Sequence, residues 1–422
     1  MRITKLSKKQ KCLMKWAFME DTRNQFKAIV CDGAVRSGKT VCMVTAFLLW
    51  AQRYFDGQNF GICGKTVASA ERNIILPAQD SDDLRAFFKL AYRKSDHVLV
   101  VKGNGHENRF YVFGGKDESS YALVQGITLA GVLLDEVALM PKSFVDQAIA
   151  RTLSIPSSKL WFNCNPESPG HWFYKEWVQR PEEKNALHLH FRMEDNPIMT
   201  PEAIADAERM YTGVFYDRYI RGLWVAAEGR IYDCFDEKKH TAAKLPELAG
   251  DQYVSSDYGT QNATVFLLWQ RERGAERWVC AREYYYSGRE QKRQKTDKEF
   301  TADLRRWLDG IEPRCVIVDP AAASFIAELR QAGFRVQKAK NDVADGIRLV
   351  AAKLNARELL FSAGCRHTLE EFQSYVWDEK AAARGEDKPV KANDHCMDAV
   401  RYFVNTVASG KKIKLKTFQG GI

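Results

Sequence analysis

No apolar run in this 422-residue chain approaches the roughly 20 residues that a membrane span needs; the longest, VCMVTAFLLWA, is about half that. The amino terminus, MRITKLSKKQKCLMKW, is basic but runs into no apolar segment of the kind that makes a secretory signal. Ten cysteines are present without a single C-x-x-C pair, and several sit inside apolar runs, such as Cys31 in AIVCDG and Cys315 in RCVIVD. That pattern excludes a disulfide framework or a zinc ribbon and reads as buried thiols in a reducing compartment. Internal repeats and long low-complexity segments are also missing. What remains is the expectation of a cytoplasmic globular protein, long enough for two or three cores. The composition agrees, with 45% hydrophobic and 28% charged residues. Lys and Arg number 63 against 54 Asp and Glu, a net +9 that leans toward a polyanionic partner.

Short β-rich runs alternate with helical ones from residue 27 to 150: FKAIVCDG, then 39–54; NFGICGK, then 68–91; then HVLVV, RFYVFGG and GVLLDEV. This alternation predicts an α/β unit on an open, largely parallel sheet. A strand KLWFNCNP and a helical stretch around 200–222 complete it. Residues 223–249 read as a junction. The strand pattern then restarts with QYVSSDYG, ATVFLLWQRE and RWVCAREYYY. An amphipathic helix at 297–310, the strand CVIVDP and helices near 322–333, 343–357 and 366–378 follow. The expected domains are 1–222, a junction at 223–249, a second α/β domain at 250–408 and a basic, flexible tail at 409–422.

GAVRSGKT (Gly33–Thr40) fits G-x-x-x-x-G-K-[ST] between a strand and a helix. Backbone N–H groups of Gly33, Arg36, Ser37 and Gly38 can wrap phosphate oxygens, Lys39 can reach the β/γ-phosphates and the Thr40 hydroxyl can ligate Mg²⁺. About 95 residues later, GVLLDEVALMP ends an apolar strand in Asp135 and Glu136. The aspartate suits a Mg²⁺ site and the glutamate a water-polarising role in ATP hydrolysis. Arg36 either stabilises γ-phosphate charge or points to solvent. Asn163, in NCNP, is either a γ-phosphate sensor or part of an Asn-Pro turn.

Three carboxylates in the second half end or follow apolar runs: Asp257 in YVSSDYGTQNAT, Asp319 in CVIVDPAAASF, and Asp398 in NDHCMDAVRY, with Asp394 four residues earlier. On a helix Asp394 and Asp398 share a face, so they call for a counter-charge, from the helix N-terminus or a metal. A converging set of this kind suits hard divalent cations, two of which can activate water and stabilise the leaving oxygen of a phosphodiester. His395 is a ligand, a proton-transfer group or a hydrogen-bonding neighbour. Loss of one carboxylate is expected to leave stability unchanged or slightly raised, through relief of like-charge repulsion. The stretch SGREQKRQKTDKEF places Arg289, Lys292, Arg293, Lys295 and Lys298 where they track a DNA backbone or form a solvated loop.

The ordered set GAVRSGKT, LLDEVALMP, FNCNP, YIRGLWVAAEGRIY, SSDYGTQNAT, VIVDPAA and NDHCMDAVRYF resembles the large subunit of tailed-bacteriophage terminases, from about residue 27 to 408. The resemblance implies a P-loop NTPase domain followed by a ribonuclease H-like nuclease domain. It implies ATP with Mg²⁺ at Lys39, Thr40, Asp135 and Glu136. It also implies two divalent cations, Mg²⁺ or Mn²⁺, at Asp257, Asp319 and Asp398, with Asp394 and His395 alongside. The implied partners are double-stranded viral DNA, the procapsid portal and a small terminase subunit, with a homo-oligomeric ring on the portal, a monomer when free, and the host cytoplasm as the setting. NCNP departs from the Ser/Thr-containing motif common in relatives. The rival class is a helicase or recombination ATPase whose carboxy-terminal domain binds DNA without cutting it.

Overall fold

A computed structural model describes residues 3–408 apart from 212, 260 and 261. The expected tail at 409–422, and Thr260 and Gln261 of the SSDYGTQNAT motif, lie outside the described residues. The chain forms two compact units. The first comprises 1–208, Val214–Ala227 and Lys380–Glu386; the second comprises Arg209–Gly213, Glu228–Glu379 and the residues from Asp387 on. The expected junction at 223–249 is thus divided between the units at Ala227/Glu228.

The first unit is built on an eight-stranded sheet. Its strands are β1 (Ala28–Gly33), β2 (Asn59–Gly64), β3 (Lys89–Arg93), β4 (Val98–Gly103), β5 (His106–Gly114), β6 (Gly131–Asp135), β7 (Lys159–Asn163) and β8 (Ala186–Phe191), in the order β3-β4-β5-β2-β6-β7-β1-β8. Every neighbour pairing from β5 to β8 is parallel, and the β3–β4 and β4–β5 pairs form an antiparallel edge. The central strands β1, β6 and β7 are buried at every residue, as a sheet covered on both faces requires. Helix α1 (Lys8–Lys15), α2 (Glu20–Gln25) and α3 (Lys39–Tyr54) precede and follow β1. Trp16, Phe47 and Trp50 pack edge-on or tilted against Trp161 in one core.

The expected helix at 68–91 is instead a chain of short pieces, Val67–Ala70, Glu71–Ile75, Leu76–Gln79 and Asp82–Arg85, followed by β3. Ser81 caps a fresh start by accepting from the Leu84 N–H, and KLAYR alternates in exposure as an edge strand should. Strand β8 (ALHLHF) is a further element absent from the sequence expectations, although its Leu-His-Leu-His alternation is a strand signal.

The second unit holds a seven-stranded sheet of β9 (Thr241–Ala242), β10 (Leu248–Asp257), β11 (Ala263–Glu272), β12 (Trp278–Ser287), β13 (Cys315–Val318), β14 (Val336–Lys338) and β15 (Leu359–Ser362), ordered β14-β13-β10-β11-β12-β15-β9. The long strands β10–β12 form an antiparallel meander, flanked on both sides by parallel pairs. The helix expected at 297–310 runs Asp297–Leu308: Thr296 and Glu299 make a capping box at its start, and Asp309, at φ +50°, stops it. The carboxy-terminal helix His395–Phe403 packs against β10, β11 and β13, with Phe403 stacked on Trp269 at 4.3 Å between ring centroids.

Candidate functional site

The phosphate loop joins the carboxyl end of β1 to α3. Gly33 has φ +122°, and a Cβ there would stand 2.0 Å from the Phe191 carbonyl oxygen of the neighbouring strand. Gly38, at φ +82°, is the N-cap of α3, and a Cβ there would meet Gln10 Nε2 at 2.5 Å. Neither position admits a side chain. Lys39 is buried, and its ammonium donates to the carbonyls of Gly33 (3.0 Å) and Ala34 (2.6 Å), to Ser37 Oγ (3.2 Å) and to Asn165 Oδ1 (3.3 Å). Burial lowers its pKa to about 8.

Thr40 Oγ1 lies 3.3 Å from Asp135 Oδ1, and Asn163 Nδ2 donates to both, at 2.8 Å to the hydroxyl. The parallel register sets this up, because Asp135 and Asn163 are paired ends of β6 and β7. Burial, reinforced by Glu136, raises the Asp135 carboxyl to about 6. Glu136 holds φ +58°, a costly conformation for a non-glycine residue at the end of a buried strand. The Thr40 hydroxyl and Asp135 carboxylate are hard oxygen donors suited to Mg²⁺, and the buried Asn163 Oδ1 has no partner among the described residues. Asn163 thus meets Thr40 and Asp135, and Asn165 is the NCNP amide that meets Lys39. Arg36 is exposed at φ +57°, with its carbonyl accepting from Asn196 Nδ2 at 2.7 Å.

Two features of this site lie outside the motifs that the sequence displays. Gln10 of α1 is buried and donates from Nε2 to the Ser37 carbonyl at 3.0 Å. A signal for it is available, since Ser7 and Gln10 form a capping box. Asp32, also buried, accepts from His188 Nε2 (2.8 Å), His190 Nδ1 (3.1 Å) and Trp224 Nε1 (2.7 Å). Burial by itself would raise the Asp32 carboxyl, but the two histidine bonds outweigh it and hold it below the usual carboxylate range.

In the second unit, Ser256 pairs with Val318 across β10 and β13, so the next residues, Asp257 and Asp319, emerge side by side at the ends of adjacent parallel strands. Asp257 Oδ2 lies 2.9 Å from His395 Nδ1; burial and the nearby Asp398 and Asp394 raise its carboxyl to about 6. Burial opposes protonation of His395, but the bond to Asp257 prevails and raises its pKa. Asp319 accepts from Tyr402 OH at 2.7 Å and from Asn341 Nδ2 at 3.3 Å. The Tyr402 hydroxyl titrates well above its ordinary value, through burial and the charges of Asp257, Asp398 and Asp319.

The expected closure of Asp257, Asp319, Asp394 and Asp398 into one cation cage is not what the side chains form: among the described residues no group of three or more His, Cys, Asp or Glu side chains is placed to hold a metal ion. The reason is local. Asp398 pairs with the buried Arg401, three residues on, and Lys391 Nζ stands 3.1 Å from Asp394 Oδ2 and 3.7 Å from Asp398 Oδ2. The counter-charge sought from a metal is supplied here by two cations of the chain. The donors still fit a hard divalent cation in kind. Glu371 joins the site without a motif of its own. It is buried and accepts the N–H groups of Cys396 (2.7 Å) and Met397 (3.0 Å), anchoring the helix that carries His395 and Asp398.

The basic stretch after β12 is mostly exposed, including Arg289, Lys292 and Arg293. Lys295 is a correction. It ion-pairs with Asp303 and lies 3.8 Å from the centre of the Tyr286 ring, so it is spent inside the unit. Arg293 is engaged with Glu299.

A phosphate loop with its carboxylate partner in one unit, and strand-end carboxylates under a histidine-bearing helix in the other, define a two-part α/β protein of the P-loop NTPase and ribonuclease H-like fold classes. Residues 30–239 match the family model for the T4-like terminase large subunit, amino-terminal part, and residues 264–406 match that for the terminase RNaseH-like domain. The large terminase of a thermophilic bacteriophage, solved in complex with ADP, is 49% identical; the match covers 96% of this chain and 100% of that one with a TM-score of 0.91. The same terminase in complex with ATP-γ-S is 49% identical over 96% of this chain and 99% of that one, at a TM-score of 0.89. The terminase large subunit of Escherichia phage T5 is 24% identical over 277 residues, a match that covers 62% of this chain and 61% of the T5 protein. The chain belongs to the phage terminase large-subunit family.

Proposed function

We propose that the first unit hydrolyses ATP to drive double-stranded viral DNA into a procapsid, and that the second is a divalent-metal-dependent endonuclease that cuts concatemeric DNA. In the first unit the loop N–H groups and Lys39 hold the triphosphate. Thr40 and Asp135 hold Mg²⁺, with Asn163 fixing the two donors relative to each other. Glu136 polarises the attacking water, and Arg36 is placed at the loop's outer edge for γ-phosphate charge. The nucleotide complexes of the thermophilic phage terminase support this reading.

In the second unit Asp257, Asp319 and Asp398 would hold the divalent cations, with Asp398 also paired to Arg401. Divalent cations there, two in the full site, supply Lewis-acid stabilisation of the scissile phosphate. His395, oriented through Nδ1 by Asp257, handles a proton at Nε2. Arg289, Lys292 and Arg293 track the DNA backbone. The proposed partners are the portal, a small terminase subunit and further copies of this chain in a ring on the portal, in the host cytoplasm. Among the described residues no helix is long and apolar enough to cross a membrane.

The observation that carries the nuclease reading is the register that brings Asp257 and Asp319 to neighbouring strand ends beneath His395. The test is supercoiled plasmid incubated with the protein and Mn²⁺ or Mg²⁺ without ATP; linear product is expected. Intact ATP turnover with no cleavage would leave a DNA-translocating ATPase whose second unit only binds DNA.

A further inference from the structure

At the opposite end of the first sheet from the phosphate loop lies a cavity of about 540 Å³. It opens where β1, β7 and β8 begin and where α2 and α3 end, with Lys27, Lys159, Asn185 and Tyr54 among its walls. The six residues of β1 separate it from the loop by roughly 20 Å.

Its lining contains three cations, Arg23, Lys27 and Lys159, and no Asp or Glu. Lys159 is only 7% exposed. Its ammonium donates to the backbone carbonyls of Arg23 (2.5 Å) and Phe26, closing the last turn of α2. Carbonyl dipoles offset part of a buried charge but do not neutralise it. Burial, followed by the proximity of Lys27 and Arg23, depresses the Lys159 pKa to about 8. Lys27 donates to Ser158 Oγ at 2.6 Å, and its pKa is lowered by burial. Arg23 donates to Tyr54 OH at 2.9 Å and lies 5.1 Å from the centre of that ring. Among the described residues none of the three has a carboxylate partner. Three like charges drawn together and partly desolvated, with amide donors around them and an aromatic wall beside them, form a site complementary to a compact dianion attached to a flat ring.

We propose that this cavity is a second phosphate site, distinct from the ATP loop, which takes a phosphate monoester borne by a nucleotide. The source is either a free mononucleotide or the 5′-terminal phosphate of a DNA strand. The phosphate oxygens are held by Arg23 and Lys27 with Lys159 behind them, and the base lies against Tyr54. A bound dianion relieves the mutual repulsion of the three cations, which the carbonyls and rings around them offset only in part.

Isothermal titration of the Lys39→Ala protein, which lacks the ammonium of the ATP loop, with dAMP and with inorganic phosphate tests this. Saturable binding is expected, weakened about tenfold or more by Arg23→Gln with Lys27→Gln. The same pair of substitutions in the otherwise unaltered chain should leave ATP turnover near its original rate, which verifies folding. A 5′-phosphorylated duplex that binds more tightly than its 5′-hydroxyl counterpart assigns the site to DNA ends; equal affinity with dAMP binding retained assigns it to free nucleotide. No saturable binding up to about 5 mM, a concentration at which even a weak specific site fills, would overturn the proposal, as would undiminished binding in the double variant. A measurement without substitutions stands beside these: dAMP should slow acetylation of Lys27 relative to the exposed Lys94, and equal rates with and without dAMP would also overturn it.

Discussion

The Lys39 ammonium stands 3.3 Å from the Asn165 carboxamide oxygen, while Asn163, two residues earlier, donates to Thr40 at 2.8 Å. Both amides of NCNP therefore touch the phosphate loop, one at its cation and one at its hydroxyl. This gives the end of β7 a direct hold on both the loop lysine and the hydroxyl that follows it.

Asn165→Ala removes one acceptor from an ammonium that keeps two carbonyls, so ATP turnover should fall about tenfold, the equivalent of one net hydrogen bond. Lys39→Ala should abolish turnover, and Glu136→Gln should retain nucleotide binding while blocking hydrolysis. Steady-state phosphate release read beside nucleotide affinity separates these outcomes. Unchanged turnover in Asn165→Ala would show that the loop carbonyls alone position Lys39.

Asp398→Asn should eliminate plasmid cleavage and also lower stability, contrary to the expectation from charge repulsion alone. Arg401 is 1% exposed, and its Nε and Nη1 have no hydrogen-bond partner among the described residues. Removing the charge of its ion-pair partner strands a buried guanidinium, at a cost of about 3 kcal/mol. Thermal unfolding of the variant beside Asp319→Asn decides this, because Asp319 pairs with neutral groups and should cost less.

Glu371 makes stability depend on pH. Burial raises its carboxyl to about 7, against 4.5 for the free group. The folded state then holds the proton more tightly than the unfolded chain. The stability it contributes is complete below about 4.5 and is lost as pH rises through about 7. Asp135 and Asp257, each raised to about 6, act in the same direction. In metal-free buffer Glu371 should make the protein lose stability as pH rises from about 4.5 through about 7, and Glu371→Gln should remove on the order of 2 kcal/mol of that dependence. An identical pH profile in the variant would remove Glu371 from the account.

Neutralising Arg289 and Lys292 should weaken DNA binding and reduce the salt slope by about one for each phosphate no longer neutralised. Lys295→Met should leave that slope alone and lower stability instead, since its charge sits against Asp303 and Tyr286. Binding isotherms at several salt concentrations, with a melting curve for each variant, separate the two roles. A changed slope for Lys295→Met would return it to the DNA surface.

The local chemistry is legible in the sequence. The glycines, lysine and threonine of GAVRSGKT act within one strand–loop–helix turn, and Asp135 and Asp319 each follow a short apolar run that forms a buried strand. Such features depend on neighbours a few residues away. The Asp398–Arg401 pair, at i and i+3, is of the same local kind and is written in the helix itself, although the repulsion between Asp394 and Asp398 draws the eye to a metal instead. Tertiary structure alone decided the rest, because side chains far apart in sequence become partners only when strand order and register are set. The order β7-β1-β8 brings His188, His190 and Asp32 together, α1 carries Gln10 to Ser37, packing against the second sheet places Glu371 under the start of the last helix, and Asp303 draws Lys295 inward. Periodicity tells which face of an element is buried but not which element covers it, and that pairing determines where each charge finds its partner.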